Sequence, residues 1–164
     1  MRKVLIIGGV AGGASCAARL RRLDESAQII LFERGEYISY ANCGLPYHVG
    51  DVIKDRKSLL LVTPEAMRDK YKVDVRVKNE VTGIDPAAKT ITVKNLNTDE
   101  TYTESYDKLV ISTGSSPLRP PIPGIDSPRI KTLWTVPDTD NIRALIKEQG
   151  FKTAAVIGGG FIGL

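Results

Sequence analysis

Two apolar runs in this chain each break into a cluster of glycines, and that pairing narrows the folds open to it. The first run, Val4-Leu5-Ile6-Ile7, leads into Gly8-Gly9-Val10-Ala11-Gly12-Gly13. The second, Ala154-Ala155-Val156-Ile157, leads into Gly158-Gly159-Gly160-Phe161-Ile162-Gly163 about 150 residues later. A strand that turns through glycines into a helix presents bare backbone N–H groups at the positive end of the helix dipole, where a pyrophosphate is stabilised. One such unit fits one dinucleotide. Two fit electron transfer between two of them.

The surrounding pattern predicts an α/β fold. Residues 3–7 read as a buried parallel strand, 12–23 as a helix and Gln28–Phe32 as a second buried strand, which together make a βαβ unit. Thr63-Pro64-Glu65 supplies an N-cap, a proline at the first helical position and an acidic first turn, so a short helix is expected to about Tyr71. Val73–Lys78 alternates like a strand. Val81–Ile84, Thr90–Leu96 and Thr101–Ser105, divided by turn residues, predict a small antiparallel meander. Leu109-Val110-Ile111-Ser112 reads as another buried strand. Pro117, Pro120, Pro121, Pro123 and Pro128 mark an extended connection. Asp138–Gln149 is expected to be helical, with Gly150 ending it and a further strand starting at Thr153.

Bulk properties exclude several classes. With 42% apolar and 26% charged residues, the chain has the make-up of a soluble globular protein. The net charge of +4 is spread along the chain, which suits phosphorylated cofactors better than nucleic acid, and aromatic residues are too few for a base-stacking platform. The start Met1-Arg2-Lys3 precedes an apolar stretch too short for a signal peptide, and no run has the length of a membrane span. Cys16 and Cys43 have neither metal-ligand nor C-x-x-C spacing, so reduced thiols in a cytoplasmic protein are expected, with no metal.

The first glycine cluster departs from G-x-G-x-x-G. Gly8 and Gly13 fit its first and third places, and Val10 stands at the second, with Gly9 and Gly12 restoring backbone freedom. Glu33 follows Gly13 by about 20 residues, the distance at which an acid accepts hydrogen bonds from ribose hydroxyls. Between Gly35 and Gly50 lies Tyr37-Ile38-Ser39-Tyr40-Ala41-Asn42-Cys43-Gly44-Leu45-Pro46-Tyr47, poor in charge. Hydroxyl and amide groups surround Cys43, and a helix starting near Gly44 would favour its thiolate. From composition alone, Cys43 reads first as a buried structural cysteine, because most free cysteines are inert. Cys16 shares a helical face with Leu20 and Leu23 and reads as core. Ser15, Arg19 and Arg22 form another stripe, which suits either substrate phosphates or a solvated basic face.

Together these residues resemble the pyridine nucleotide-disulfide oxidoreductases, and within them the single-cysteine coenzyme A-disulfide reductases. The resemblance covers essentially the whole chain. It is carried by residues 8–15, Phe32-Glu33-Arg34-Gly35, Ser39 to Tyr47, Thr113-Gly114 before Pro117, Pro120-Pro121-Ile122-Pro123-Gly124 and the second glycine cluster. It implies a Rossmann-like FAD-binding domain with a parallel sheet and a small antiparallel meander. Residues 1–112 would be its first segment, 113–150 a linker and connecting helix, and 151–164 the start of an NAD(P)-binding domain. FAD would contact Gly8, Gly9, Val10, Ala11, Gly12, Gly13, Glu33, Arg34, Val81, Thr113 and Gly114, and NAD(P)H would contact Gly158, Gly160 and Gly163.

By the same resemblance Cys43 is the redox nucleophile. Ser15, Arg19, Arg22, Ser39 and Asn42 match coenzyme A contacts, with a further contact near Tyr71, which Lys70 and Lys72 flank. Electrons would pass from NAD(P)H through FAD and Cys43 to coenzyme A disulfide, or to a persulfide or polysulfide. The chain is expected to be a piece of a longer protein that acts as a homodimer. Two rivals stand beside this reading: an NADH oxidase or peroxidase cycling Cys43 through sulfenic acid, and a non-catalytic nucleotide-binding module. The peroxidase is disfavoured because Val10 and Ala11 stand where such relatives carry a histidine, and His48 is the chain's only one.

Overall fold

Alternation in the first strands sets up three layers. A computed structural model describes residues 1–160 of the chain. Strand β1 (Lys3–Ile7), helix α1 (Ala11–Leu23) and strand β2 (Gln28–Glu33) form the expected βαβ unit. The chain then makes a 3-10 turn at Asn42–Gly44, helix α2 (Leu45–Val49), a second 3-10 turn at Arg56–Leu59 and helix α3 (Pro64–Tyr71). Strands β3 (Asp74–Val77), β4 (Asn79–Asp85), β5 (Thr90–Asn95), β6 (Thr101–Ser105) and β7 (Lys108–Ile111) follow, and helix α4 (Val136–Gln149) comes last.

The parallel sheet runs β3-β2-β1-β7, and β4-β5-β6 form a separate antiparallel sheet. Side chains on successive strand residues point to opposite faces. Val4 and Ile6 of β1, with Ile29 and Leu31 of β2, therefore meet Ala14 and Ala17 of α1 and Met67 of α3. Leu5, Ile7, Ile30 and Phe32 face the other way and meet Ile91 and Val93 of β5. Both faces of the parallel sheet are thus covered, as continuous apolar strands require. A third cluster joins Leu45 of α2, Leu59 and Val136 of α4.

Local signals account for several boundaries. The Thr63 side chain accepts a hydrogen bond from the Ala66 amide at 3.2 Å, as its N-cap position predicts. Gly150 closes α4 in the left-handed region at φ +63°. Gly8 and Gly13 explain the tight β1–α1 connection. Gly8 has φ +96°, and a Cβ on Gly13 would lie 1.7 Å from the Gly8 carbonyl oxygen.

Three expectations need correction. Leu109–Ser112 does not form a fully buried strand. Among the described residues β7 pairs only with β1, so Leu109 and Val110 are half-buried and Ile111 is 62% exposed. Leu23 is exposed rather than core, because the buried stripe of α1 runs through Gly13, Ala14 and Ala17, with Cys16 and Leu20 at its edge. The run Ala154–Ile157 forms no strand, and Val156 and Ile157 are exposed. No strand among the described residues lies beside it to satisfy its backbone, and an unpaired strand is not stable in water.

Candidate functional site

The strand order reverses around β1, with β2 on one side and β7 on the other. Ligands of open parallel sheets bind beyond the carboxyl ends of the strands at such a switch point. A cleft of about 260 Å³ lies there. Ile7 and Gly8 line it from the end of β1, Phe32, Glu33 and Arg34 from β2, and Thr113 to Ser116 from the segment after β7. Asn79, Glu80 and Val81 close it from β4.

Of the residues expected at a flavin nucleotide, the cleft gathers Gly8, Glu33, Arg34, Val81, Thr113 and Gly114. Gly9 lies buried just behind. Its amide donates to Glu33 Oε2 at 2.8 Å, and the Gly35 amide donates to Glu33 Oε1 at 2.7 Å. The carboxylate is thereby fixed in orientation and keeps lone pairs for further donors. Val10, Ala11, Gly12 and Gly13 form the turn and first residues of α1, whose N-cap, Val10, offers no side-chain hydrogen bond. Their amides are left for another acceptor.

The structure fits a dinucleotide here. It provides a glycine turn too close for any Cβ, an uncapped helix start, and an acid held at the end of the neighbouring strand. Asn79, Glu80, Ser115 and Ser116 were not legible as site residues. Asn79 and Glu80 precede the stretch whose alternation marks the meander, and a turn with Lys78 at φ +56° brings them to the cleft.

Cys43 is exposed on the 3-10 turn that leads directly into α2. Its segment is tied to the glycine turn. The Ser39 amide donates to the Gly9 carbonyl at 2.9 Å, and the Ser39 carbonyl accepts from the Leu61 amide at 2.9 Å. Tyr40 follows, half-buried. Burial pushes its hydroxyl pKa up, and the neighbouring Glu33 carboxylate adds to that rise. Cys43 and Asn42 are not among the residues lining the cleft, although Ser39 connects their segment to it.

Ser15, Arg19 and Arg22 are all exposed on the outer face of α1, and Arg22 Nε donates to the Ala18 carbonyl at 3.1 Å. Tyr71 ends α3 and lines a separate cavity of about 420 Å³ with Leu61, Val62, Thr63 and Lys70. None of these four lines the cleft. Gly158 and Gly160 are exposed, with nothing within 4 Å of a Cβ at either, and Gly163 lies outside the described residues. No group of acidic, histidine and cysteine side chains that would hold a metal ion occurs among the described residues, and no helix there is long and apolar enough to cross a membrane.

The family model for pyridine nucleotide-disulphide oxidoreductases matches residues 2–164. A coenzyme A disulfide reductase of Staphylococcus haemolyticus is 42% identical over all 164 residues of the chain, which span 37% of that relative's length. The reduced CoADR-RHD protein of Bacillus anthracis is 56% identical with a TM-score of 0.96, covering 99% of this chain and 29% of its own. An NAD-dependent persulfide reductase from A. fulgidus is 35% identical with a TM-score of 0.93, covering 99% of this chain and 30% of its own.

Proposed function

The chain belongs to the pyridine nucleotide-disulphide oxidoreductase family, and from that premise we propose that it forms the flavin-binding end of a longer reductase of coenzyme A disulfide or persulfide. One observation carries this reading. The cleft at the sheet's switch point collects Gly8, Glu33, Arg34, Val81, Thr113 and Gly114, and the segment bearing Cys43 is hydrogen-bonded to its glycine turn through Ser39 and Gly9. Residues 1–112 make the first flavin segment, 113–150 connect it onward, and 151–164 begin the nicotinamide nucleotide domain.

The chain's own residues divide the work. The amides at the start of α1 receive the pyrophosphate of FAD, and Glu33, held by Gly9 and Gly35, accepts from its ribose hydroxyls. Arg34, Val81, Thr113 and Gly114, which line the cleft, would border the nucleotide. When bound, FAD supplies two-electron transfer between NAD(P)H and a sulfur centre. Cys43 supplies that centre. Its thiolate attacks one sulfur of the substrate disulfide, a new S–S bond forms at Sγ, the substrate S–S bond breaks, and the leaving sulfur departs as a thiolate that takes up a proton. Ser15, Arg19, Arg22, Ser39 and Asn42 contact coenzyme A, the two arginines suiting its phosphates, with a further contact near Tyr71.

Steady-state assays of the full-length protein with NADH test this. Turnover with coenzyme A disulfide is expected to fall about 1,000-fold or more in Cys43→Ser, because a serine hydroxyl supplies no thiolate for the exchange step. Equal NADH consumption by oxygen or peroxide alone would instead identify an oxidase or peroxidase.

A further inference from the structure

Helix α4 is the element that leads to the second glycine cluster, and its polar contacts land on both sides of the Cys43 turn. Near its start, Asp140 accepts two hydrogen bonds from Arg56, at 2.8 Å from Nε and 2.7 Å from Nη2. The same guanidinium donates to the Tyr37 hydroxyl at 3.0 Å and sits 5.1 Å from the Tyr37 ring centroid. Tyr37 opens the cysteine segment. A turn further along α4, Arg143 forms an ion pair with Asp51 at 2.8 Å and donates to the His48 carbonyl, at the closing end of α2. At the first residue of α4, ahead of both clasps, Val136 is fully buried in one cluster with Leu45 and Leu59. Leu59 in turn approaches to 3.1 Å of where a Gly44 Cβ would lie, directly beside Cys43.

We infer that Asp140 and Arg143 are positioning residues for Cys43, fixing the 3-10 turn and α2 to the helix that carries the second nucleotide unit. The inference rests on the reading of Cys43 as the redox thiol. The geometry is that of a rigid bracket. α2 has only five residues, too few to hold itself in place, and the 3-10 turn before it is shorter still. What orients Cys43 is therefore what α2 and its flanks are fastened to. Two charged clasps and one apolar contact fasten them to α4. The bidentate Arg56–Asp140 pair constrains direction as well as distance, and Arg143 places a cation against the carbonyl end of α2, where the helix dipole favours it.

The test compares two electron outlets in the full-length protein. Ferricyanide takes electrons from a reduced flavin without a thiol, whereas any acceptor whose turnover is abolished in Cys43→Ser needs the cysteine. In the double variant Asp140→Asn, Arg143→Gln, Cys43-dependent kcat is expected to fall about tenfold, with KM for NADH and ferricyanide turnover changed less than twofold. Hydrogen exchange of the 42–50 peptide is expected to quicken about tenfold while β1 and β2 are unchanged. Arg143→Lys keeps the cation and is expected to recover most of the loss. Parallel loss of both outlets, or unchanged exchange and unchanged Cys43-dependent kcat, overturns the inference. Failure of the wild-type protein with coenzyme A disulfide would overturn only the substrate assignment, since the comparison holds for any Cys43-dependent acceptor.

Discussion

Gly13 lies where α1 passes the end of β1, and the two backbones come closer there than any side chain permits. A Cβ would sit 1.7 Å from the Gly8 carbonyl oxygen and 3.1 Å from Ile6 Cγ2. Gly13→Ala must therefore push α1 away from the sheet, and a loss of roughly 3 kcal/mol or more is expected in urea unfolding. Gly159 carries the same glycine-rich signature in the sequence, yet nothing lies within 4 Å of its Cβ position and its φ is not positive. Gly159→Ala in this chain is expected to change stability by no more than about 0.5 kcal/mol. The pair shows why spacing could nominate both clusters but not distinguish them. Glycine pattern is local, whereas the cost of a methyl group depends on what packs over it. Glu33 belongs to the same scale. Its distance from Gly13 marked it, but only the fold shows its carboxylate fastened by two amides.

Helix α4 illustrates how an element is set by its ends. Thr135 caps it, accepting from the Asp138 amide at 3.3 Å, while the Asp138 carboxylate accepts from the Thr135 amide at 2.7 Å. The Trp134 amide also donates to that carboxylate at 3.2 Å. Thr135→Ala removes one half of this reciprocal pair, and a loss of about 1 kcal/mol is expected from thermal melts, with Thr135→Ser restoring most of it. The sequence places the helix start at Asp138, whereas α4 begins at Val136. The cap lies upstream of the first acid, and Val136-Pro137 resembles the proline-rich connection before it. Helix α2 was legible only as a condition on Cys43, since five residues carry no periodicity. The meander was legible because turn residues punctuate it. That it covers the second face of the parallel sheet was not, because alternation states that a face is buried without naming its partner.

At the scale of the molecule, the two sheets are joined by charge as well as by apolar packing. Arg76 of β3 lies over the Phe32 ring at 5.4 Å and the Tyr102 ring at 5.8 Å, and it pairs with Asp74 and with Glu104 of β6, each at 2.8 Å. Lys3 of β1 also contacts Glu104. Burial pushes the Glu104 carboxyl up, but hydrogen bonds and charge from Lys3 and Arg76 outweigh it and hold its pKa below the ordinary carboxylate range. The folded pKa therefore lies below the unfolded value of about 4.3. The stabilisation is fully present above that value and is lost as pH falls through the folded pKa. Glu104→Gln is expected to cost about 1–2 kcal/mol at pH 7, and urea midpoints of variant and parent should converge as pH drops below the ordinary carboxylate range and through the lowered Glu104 pKa. The sequence by itself determined the βαβ start, the glycine turn, the Thr63 cap, the Gly150 stop and the nucleotide chemistry, because strand alternation, helix period and turn preference act between near neighbours. Only the tertiary structure decided that Asn79, Glu80, Ser115 and Ser116 border the cleft beside Gly8 and Glu33, that Ile111 lies at an edge of the sheet formed by the described residues, that the second apolar run pairs with no described strand, and that α4 clasps the Cys43 turn. Those outcomes depend on contacts between residues far apart in the chain, and local pattern carries no record of which distant partner arrives.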